Sequence, residues 1–258
     1  MNTKKIKIVL FLVVILAGLP SFLSAAHQWA GFHWARQTNP FTLKLGDNVS
    51  STWDSYLITT SSDWSISTVL DTVIVPGKTT ASRCRASVGR VEVCNYKYGK
   101  NGWLGIAQVW TSSSHITQAI VKVNDSYFTM PYYNTVGWKN LVMCQEVGHA
   151  LGLDHQDEAQ TNPNLGTCMD YTSNPAGPPN NEHPNQHDYD ELFNIYKHLD
   201  TSTTLAQTVP PPAINLLSFD EPRQWGKKIR QSANKRLALY ELDFGGGHKV
   251  FTFVTLAN

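Results

Sequence analysis

Apolar and polar residues alternate with period two over much of the first half of the chain. Phe41-Thr-Leu-Lys-Leu predicts a half-buried strand, and Val73-Ile-Val predicts a short one before Pro76-Gly77. Arg90 to Tyr98 sets Val91, Val93 and Tyr96 against Glu92 and Lys97. Gly105–Thr111 and His115–Asn124, rich in Val, Ile and Thr, also read as strands. Between the first two strands, Trp53, Tyr56, Leu57, Trp64 and Ile66 form an imperfect helical stripe over 53–69. The period becomes helical again over Tyr133–Leu151, through Trp138, Leu141, Val142, Gln145, His149 and Ala150, and Gly152 is the stop signal. A loop dense in Asn, Pro and Gly follows over 161–186, then a second helical stretch, His187–Leu199. Beyond Pro210-Pro211-Pro212, two apolar runs flank Gly245-Gly246-Gly247 and predict a hairpin too small to be stable alone. The order of elements predicts an α+β fold with a twisted mixed sheet, a main domain over 27–200 and a linker and hairpin tail over 201–258.

The first residues belong to none of these elements. Lys4, Lys5 and Lys7 precede an unbroken apolar run from Ile8 to Leu19, and Ser24-Ala25-Ala26 supplies small residues for cleavage. This is the pattern of a secretory signal peptide over 1–26, and the run is shorter than the ~18–20 residues that span a bilayer. Removing it takes the formal charge from +1 to −2. The expected protein is therefore secreted, or periplasmic in a double-membraned bacterium, with no membrane attachment after cleavage. Its charge argues against a nucleic-acid partner, because the basic cluster Lys227, Lys228, Arg230, Lys235 and Arg236 reads as a solvated face. A monomer is expected.

Export also gives the cysteines a meaning. Cys84, Cys94, Cys144 and Cys168 are an even set with three possible connectivities in an oxidising compartment. Cys84–Cys94 closes a short loop consistent with neighbouring strands, and that leaves Cys144–Cys168.

Chemistry concentrates in Cys144-Gln-Glu-Val-Gly-His-Ala-Leu-Gly-Leu-Asp-His155. Residues 145 and 149 share one helix face, and Gly152 takes the positive φ that returns His155 toward the same point. Two ligands from a helix, a third from the returning chain and an open fourth position make a catalytic zinc arrangement. Glu146 is then the general base for a zinc-bound water.

The stretch resembles the metzincin zinc endopeptidases, whose pattern is HExxHxxGxxH followed by a methionine turn. Here it reads QExxHxxGxxH, with Glu146, His149, Gly152 and His155 in their family positions. Gly166-Thr-Cys-Met-Asp-Tyr171 looks like the methionine turn. The resemblance, over roughly residues 36–200, implies that Met169 underlies the metal and that Tyr171 ligates it or steadies an oxyanion. It also implies an active cleft between two subdomains, a C-terminal helix at His187–Leu199 and a protein or peptide substrate. A Cys144–Cys168 bridge would then clamp the turn beneath the active helix. Only about ten residues separate Ala26 from the resembling region, too few for a cysteine-bearing inhibitory propeptide.

Gln145 departs from the pattern, since an amide oxygen is a poorer zinc ligand than imidazole. Three readings stay open: Gln145 ligates zinc through its side-chain oxygen, His183 or His187 substitutes for it, or the chain is an inactive relative that binds extracellular peptides or proteins. Asp154, Asp157 and Glu158 are candidates for a calcium ion or for an acidic solvated loop. Asp170 and Asp188 are candidates to orient a ligand histidine. No serine-hydrolase elbow, phosphate loop or dinucleotide fingerprint is present.

Mass spectrometry of the exported protein should find an N-terminus at His27. An intact Met1 on the exported chain would contradict the cleavage reading.

Overall fold

A computed structural model describes residues 27–205, 219 and 221–257. The signal segment and Pro210–Pro212 lie outside the described residues. The strands are β1 (His33–Trp34), β2 (Phe41–Asn48), β3 (Leu70–Pro76), β4 (Val91–Tyr96), β5 (Trp103–Ser112), β6 (His115–Asn124), β7 (Lys227–Gln231), β8 (Leu237–Asp243) and β9 (His248–Leu256). The helices are α1 (Asp54–Trp64), α2 (Asp125–Phe128), α3 (Val136–Ala150) and α4 (Gln186–Tyr196).

All strands join one mixed sheet in the order β3-β2-β4-β6-β5-β9-β8-β7, with β1 paired to the start of β6. Pairing is parallel from β3 to β6 and antiparallel from β6 to β7. Alternation explains β2, where Phe41, Leu43 and Leu45 are buried and Thr42 and Lys44 are exposed. The middle strands instead bury both faces, as strands covered on two sides do. Ala107, Val109, Val121 and Val123 enter the main core, which also holds α1 and α3 residues. Ile106, Trp110 and Ile120 enter a second core with Phe219, Trp225 and the Cys84–Cys94 disulfide.

Helix ends follow from specific hydrogen bonds. Thr135 caps α3 by accepting from the Trp138 N–H at 3.3 Å. Gly152 closes it at φ +101°, with its N–H on the His149 carbonyl and the Leu153 N–H on the Gly148 carbonyl. These two bonds make a Schellman motif, which requires the left-handed residue that Gly supplies. α1 stops at Trp64, short of the expected stripe, because Ser65 turns its hydroxyl onto the Ser61 carbonyl and Thr72. Ile66 is left 64% exposed. α4 stops at Tyr196 rather than Leu199 because Arg36 takes the carbonyls of Tyr196 and His198.

The tail differs most from expectation. The hairpin across Gly245–Gly247 is present as β8–β9, but it is part of the central sheet. β9 runs antiparallel along β5 from Trp103↔Leu256 to Ser112↔His248. It sends Phe251 and Phe253 into the main core and Val250 and Val254 into the second. No helix among the described residues is long and apolar enough to cross a membrane.

Leu43→Ala should cost about 2–5 kcal/mol in chemical denaturation, whereas Thr42→Ala on the opposite face should change stability by under ~0.5 kcal/mol. Equal losses would contradict the assigned register.

Candidate metal centre

α3 is buried at nearly every position, between β5, β6, α1 and the tail. Gln145, Glu146 and His149 are each fully shielded from solvent. The Schellman turn brings the chain back so that His149 Nε2 and His155 Nε2 lie 3.1 Å apart. The other ring nitrogen of His149 donates to the Leu153 carbonyl at 2.9 Å, which assigns the proton to Nδ1 and leaves Nε2 with its lone pair. Burial, and then the neighbouring His155, hold the His149 imidazole well below its usual range, so it is neutral at pH 7. His155 Nδ1 faces Asp154 and Glu158 carboxylate oxygens, each at 3.6 Å. A neutral buried imidazole with an inward lone pair, beside a second imidazole backed by carboxylates, is a donor set suited to a divalent cation such as zinc.

The return segment is held from two directions. His27 accepts the Asp154 N–H on its carbonyl, and its Nδ1 contacts the Asp154 carbonyl at 2.9 Å. Arg230 of β7 forks onto both carboxylate oxygens of Asp154 and reaches Glu158 at 3.3 Å. Asp157 accepts from Asn162 and from the Ala159 N–H. Burial pushes the Asp154 carboxyl up, and Arg230 and His155 outweigh it, leaving Asp154 below the ordinary carboxylate range.

Met169 lies under the helix. Its sulfur would meet a Cβ placed on Gly148 at 2.5 Å, and the Trp64 ring would meet the same Cβ at 2.9 Å. The Cys144–Cys168 disulfide fastens this turn to α3, and Cys84–Cys94 is the second bridge. Among the described residues no cysteine is free. Asp170 and Asp188 bind structure around the turn: Asp170 accepts from the Leu165 N–H and Asn181, and Asp188 from Thr167 and the Asn185 N–H. His183 contacts Asp63 at 2.7 Å, and His187 stacks on His27, so both candidate substitute ligands are engaged with other groups.

The residues that sequence reasoning missed come from the tail. Phe253 stacks flat on His149, with centroids 4.2 Å apart and planes 12° from parallel. Thr255 Oγ1 lies 2.8 Å from Gln145 Oε1 and 2.8 Å from Glu146 Oε1. Gln145 donates its amide N–H to the Cys168 carbonyl at 2.9 Å. Burial raises the Glu146 carboxyl to about 8, against smaller opposing pulls from Thr255 and the Ala107 backbone. One hydroxyl has one proton, so Thr255 cannot donate to both neighbours. A protonated Glu146 resolves this: it donates to Thr255 Oγ1, and Thr255 donates to Gln145. Tyr171, buried and pushed further above its ordinary range by desolvation, directs its hydroxyl at the Leu256 carbonyl of β9 at 3.5 Å. The apolar run Val250-Phe-Thr-Phe-Val signals this strand locally, but nothing local names β5 as its partner.

No protein-family model and no curated protein sequence matches the chain. Its function is therefore argued from the site itself.

Gly148→Ala should destabilise the fold by about 1–3 kcal/mol, because the methyl meets Met169 and the Trp64 ring, outweighing a gain in helix propensity of up to ~1 kcal/mol. A more stable variant in a denaturant titration would contradict the close approach of turn and helix.

Proposed function

We propose that the chain is a zinc-dependent endopeptidase of metzincin type, exported by its N-terminal segment and folded with its own C-terminal strand over the site. The observation that carries this reading is the 3.1 Å convergence of the His149 and His155 Nε2 atoms next to Glu146. The QExxHxxGxxH stretch, the Met169 turn bridged to the helix by Cys144–Cys168, and the mixed sheet behind α3 support it.

In this reading His149, His155 and the Gln145 amide oxygen hold zinc. The chemistry a zinc ion held there would supply is Lewis acidity toward a water and a peptide carbonyl. Glu146, ionised once β9 no longer buries it, would accept a proton from the attacking water and return it to the departing amine. Tyr171 already points its hydroxyl at a peptide carbonyl and serves as hydrogen-bond donor to the oxyanion. The Leu153 carbonyl keeps His149 in the ligating tautomer.

β9 must leave for a substrate to enter. It shields His149 with Phe253 and occupies Gln145 and Glu146 through Thr255. Arg230 adds a forked ion pair to the same lock. The resulting enzyme is latent, with the covering segment C-terminal to the catalytic helix. A second reading, an inactive extracellular binding module, is favoured by Gln145 alone, whose amide is satisfied at both ends by protein partners.

The two readings separate in a peptidase assay with zinc present, comparing the full chain with an Arg230→Ala/Thr255→Val variant. That variant removes the forked pair and the shared hydroxyl, each worth about 1–3 kcal/mol, and leaves the core apolar contacts intact. Hydrolysis should rise at least about tenfold, and adding Glu146→Gln should lower it by about 10²–10⁴. A folded, zinc-loaded variant that cleaves nothing would establish the binding module instead.

A further inference from the structure

Three histidines converge on one carboxylate elsewhere in the fold. His33 lies on β1, His115 opens β6, and His198 and Asp200 follow α4. Asp200 Oδ1 is 3.4 Å from His33 Nε2, 3.3 Å from His115 Nε2 and 3.7 Å from His198 Nε2. His33 and His198 bring their Nε2 atoms to 3.1 Å of each other. The ring planes of His33 and its two histidine neighbours stand nearly perpendicular, so the contacts run through nitrogens and edges rather than stacked faces.

The surrounding bonds leave those atoms pointing inward. His33 Nδ1 contacts the Gly31 carbonyl at 2.8 Å, which places the ring proton there and leaves Nε2 as a lone pair. Asp200 Oδ2 is taken by the Arg36 guanidinium at 2.8 Å and the Arg36 N–H at 3.2 Å, so Oδ1 alone faces the histidines. A bare nitrogen held against a carboxylate oxygen and a second imidazole nitrogen is relieved by a cation between them or by a proton on His198 Nε2. Ligands about 2.0–2.1 Å from a tetrahedral ion stand roughly 3.3 Å from one another, close to the separations found here. His33 is 6% exposed and fixed, whereas the His198 side chain is 49% exposed and leaves a path from solvent.

We propose that His33, His198 and Asp200 form a second divalent-cation site, suited to zinc by its imidazole donors, with His115 anchored on the shared Asp200 oxygen. The site fastens the segment before β2, the start of β6 and the chain leaving α4, three segments far apart in sequence. It is built from residues outside the α3 centre and does not depend on the peptidase reading.

The test is zinc content of the full chain by elemental mass spectrometry after dialysis, with thermal unfolding as a second readout. A His149→Ala/His155→Ala chain, stripped of the α3 centre, should keep about one zinc. Adding His198→Ala should weaken that zinc by about a hundredfold or more. In the otherwise unaltered chain, His198→Ala should lower the total by one zinc and shrink the rise in unfolding temperature that added zinc produces. This comparison does not need the doubly substituted protein to fold, because the His198 ring is half in solvent. Unchanged zinc content and an unchanged thermal response in His198→Ala would overturn the proposal and leave the cluster as a proton-sharing histidine–aspartate group.

Discussion

Strand β9 satisfies two neighbours at once. Its backbone completes the hydrogen bonds of β5, and its inward side chains fill the space in front of α3. An unpaired β5 would present an exposed edge beside a buried cationic-ligand cluster, an arrangement that invites pairing with any extended segment. β9 ends that exposure and, through Thr255, also ends the exposure of Gln145 and Glu146. The burial that raises Glu146 to about 8 follows from this pairing and outweighs the opposing pull of the Thr255 hydroxyl. So does the neutral state of His149 under the Phe253 ring.

The rest of the site depends on short-range constraints in α3. Gly152 turns the chain so that His155 returns to His149. Gly148 lets Met169 and Trp64 approach the helix, and the Cys144–Cys168 bridge holds the Met169 segment in that place. The N-terminal residue expected after signal cleavage, His27, meets the backbone of Asp154. His27 and Arg230 therefore both bear on the segment carrying the third candidate ligand.

Much of this arrangement was legible in the sequence, for reasons that are local. Gly152 and the apolar period place the end of α3 within a residue and its start three residues early, and the alternation of Phe41, Leu43 and Leu45 defines β2. Two histidines around a helix-ending glycine specify their own convergence, because the turn that joins them is short. The helix ends at Trp64 and Tyr196 were overrun because their stops are tertiary: Ser65 needs Thr72, and the α4 carbonyls need Arg36. The tail shows the limit most clearly. β8 and β9 were visible as two apolar runs around Gly245–Gly247 while β7 was not, and the choice of β5 as partner is made by Phe251, Phe253 and Val254 finding two cores at once. The basic cluster read as a solvated face is solvated at Lys227 and Lys228, while Arg230 reaches Asp154 and Glu158. The His33–His198–Asp200 cluster was illegible for the same reason, since its members meet only where Arg36, after β1, binds the chain leaving α4.

The central claim is that β9 lies along β5 over the α3 centre. Native-state hydrogen exchange of the full chain, followed by mass spectrometry of peptides covering 103–112 and 248–256, tests it most directly. The account predicts that both peptides are strongly protected and lose protection together when Arg230→Ala/Thr255→Val loosens the tail. Rapid exchange of 248–256 in the unaltered chain, at the rate of an unpaired segment, would contradict it.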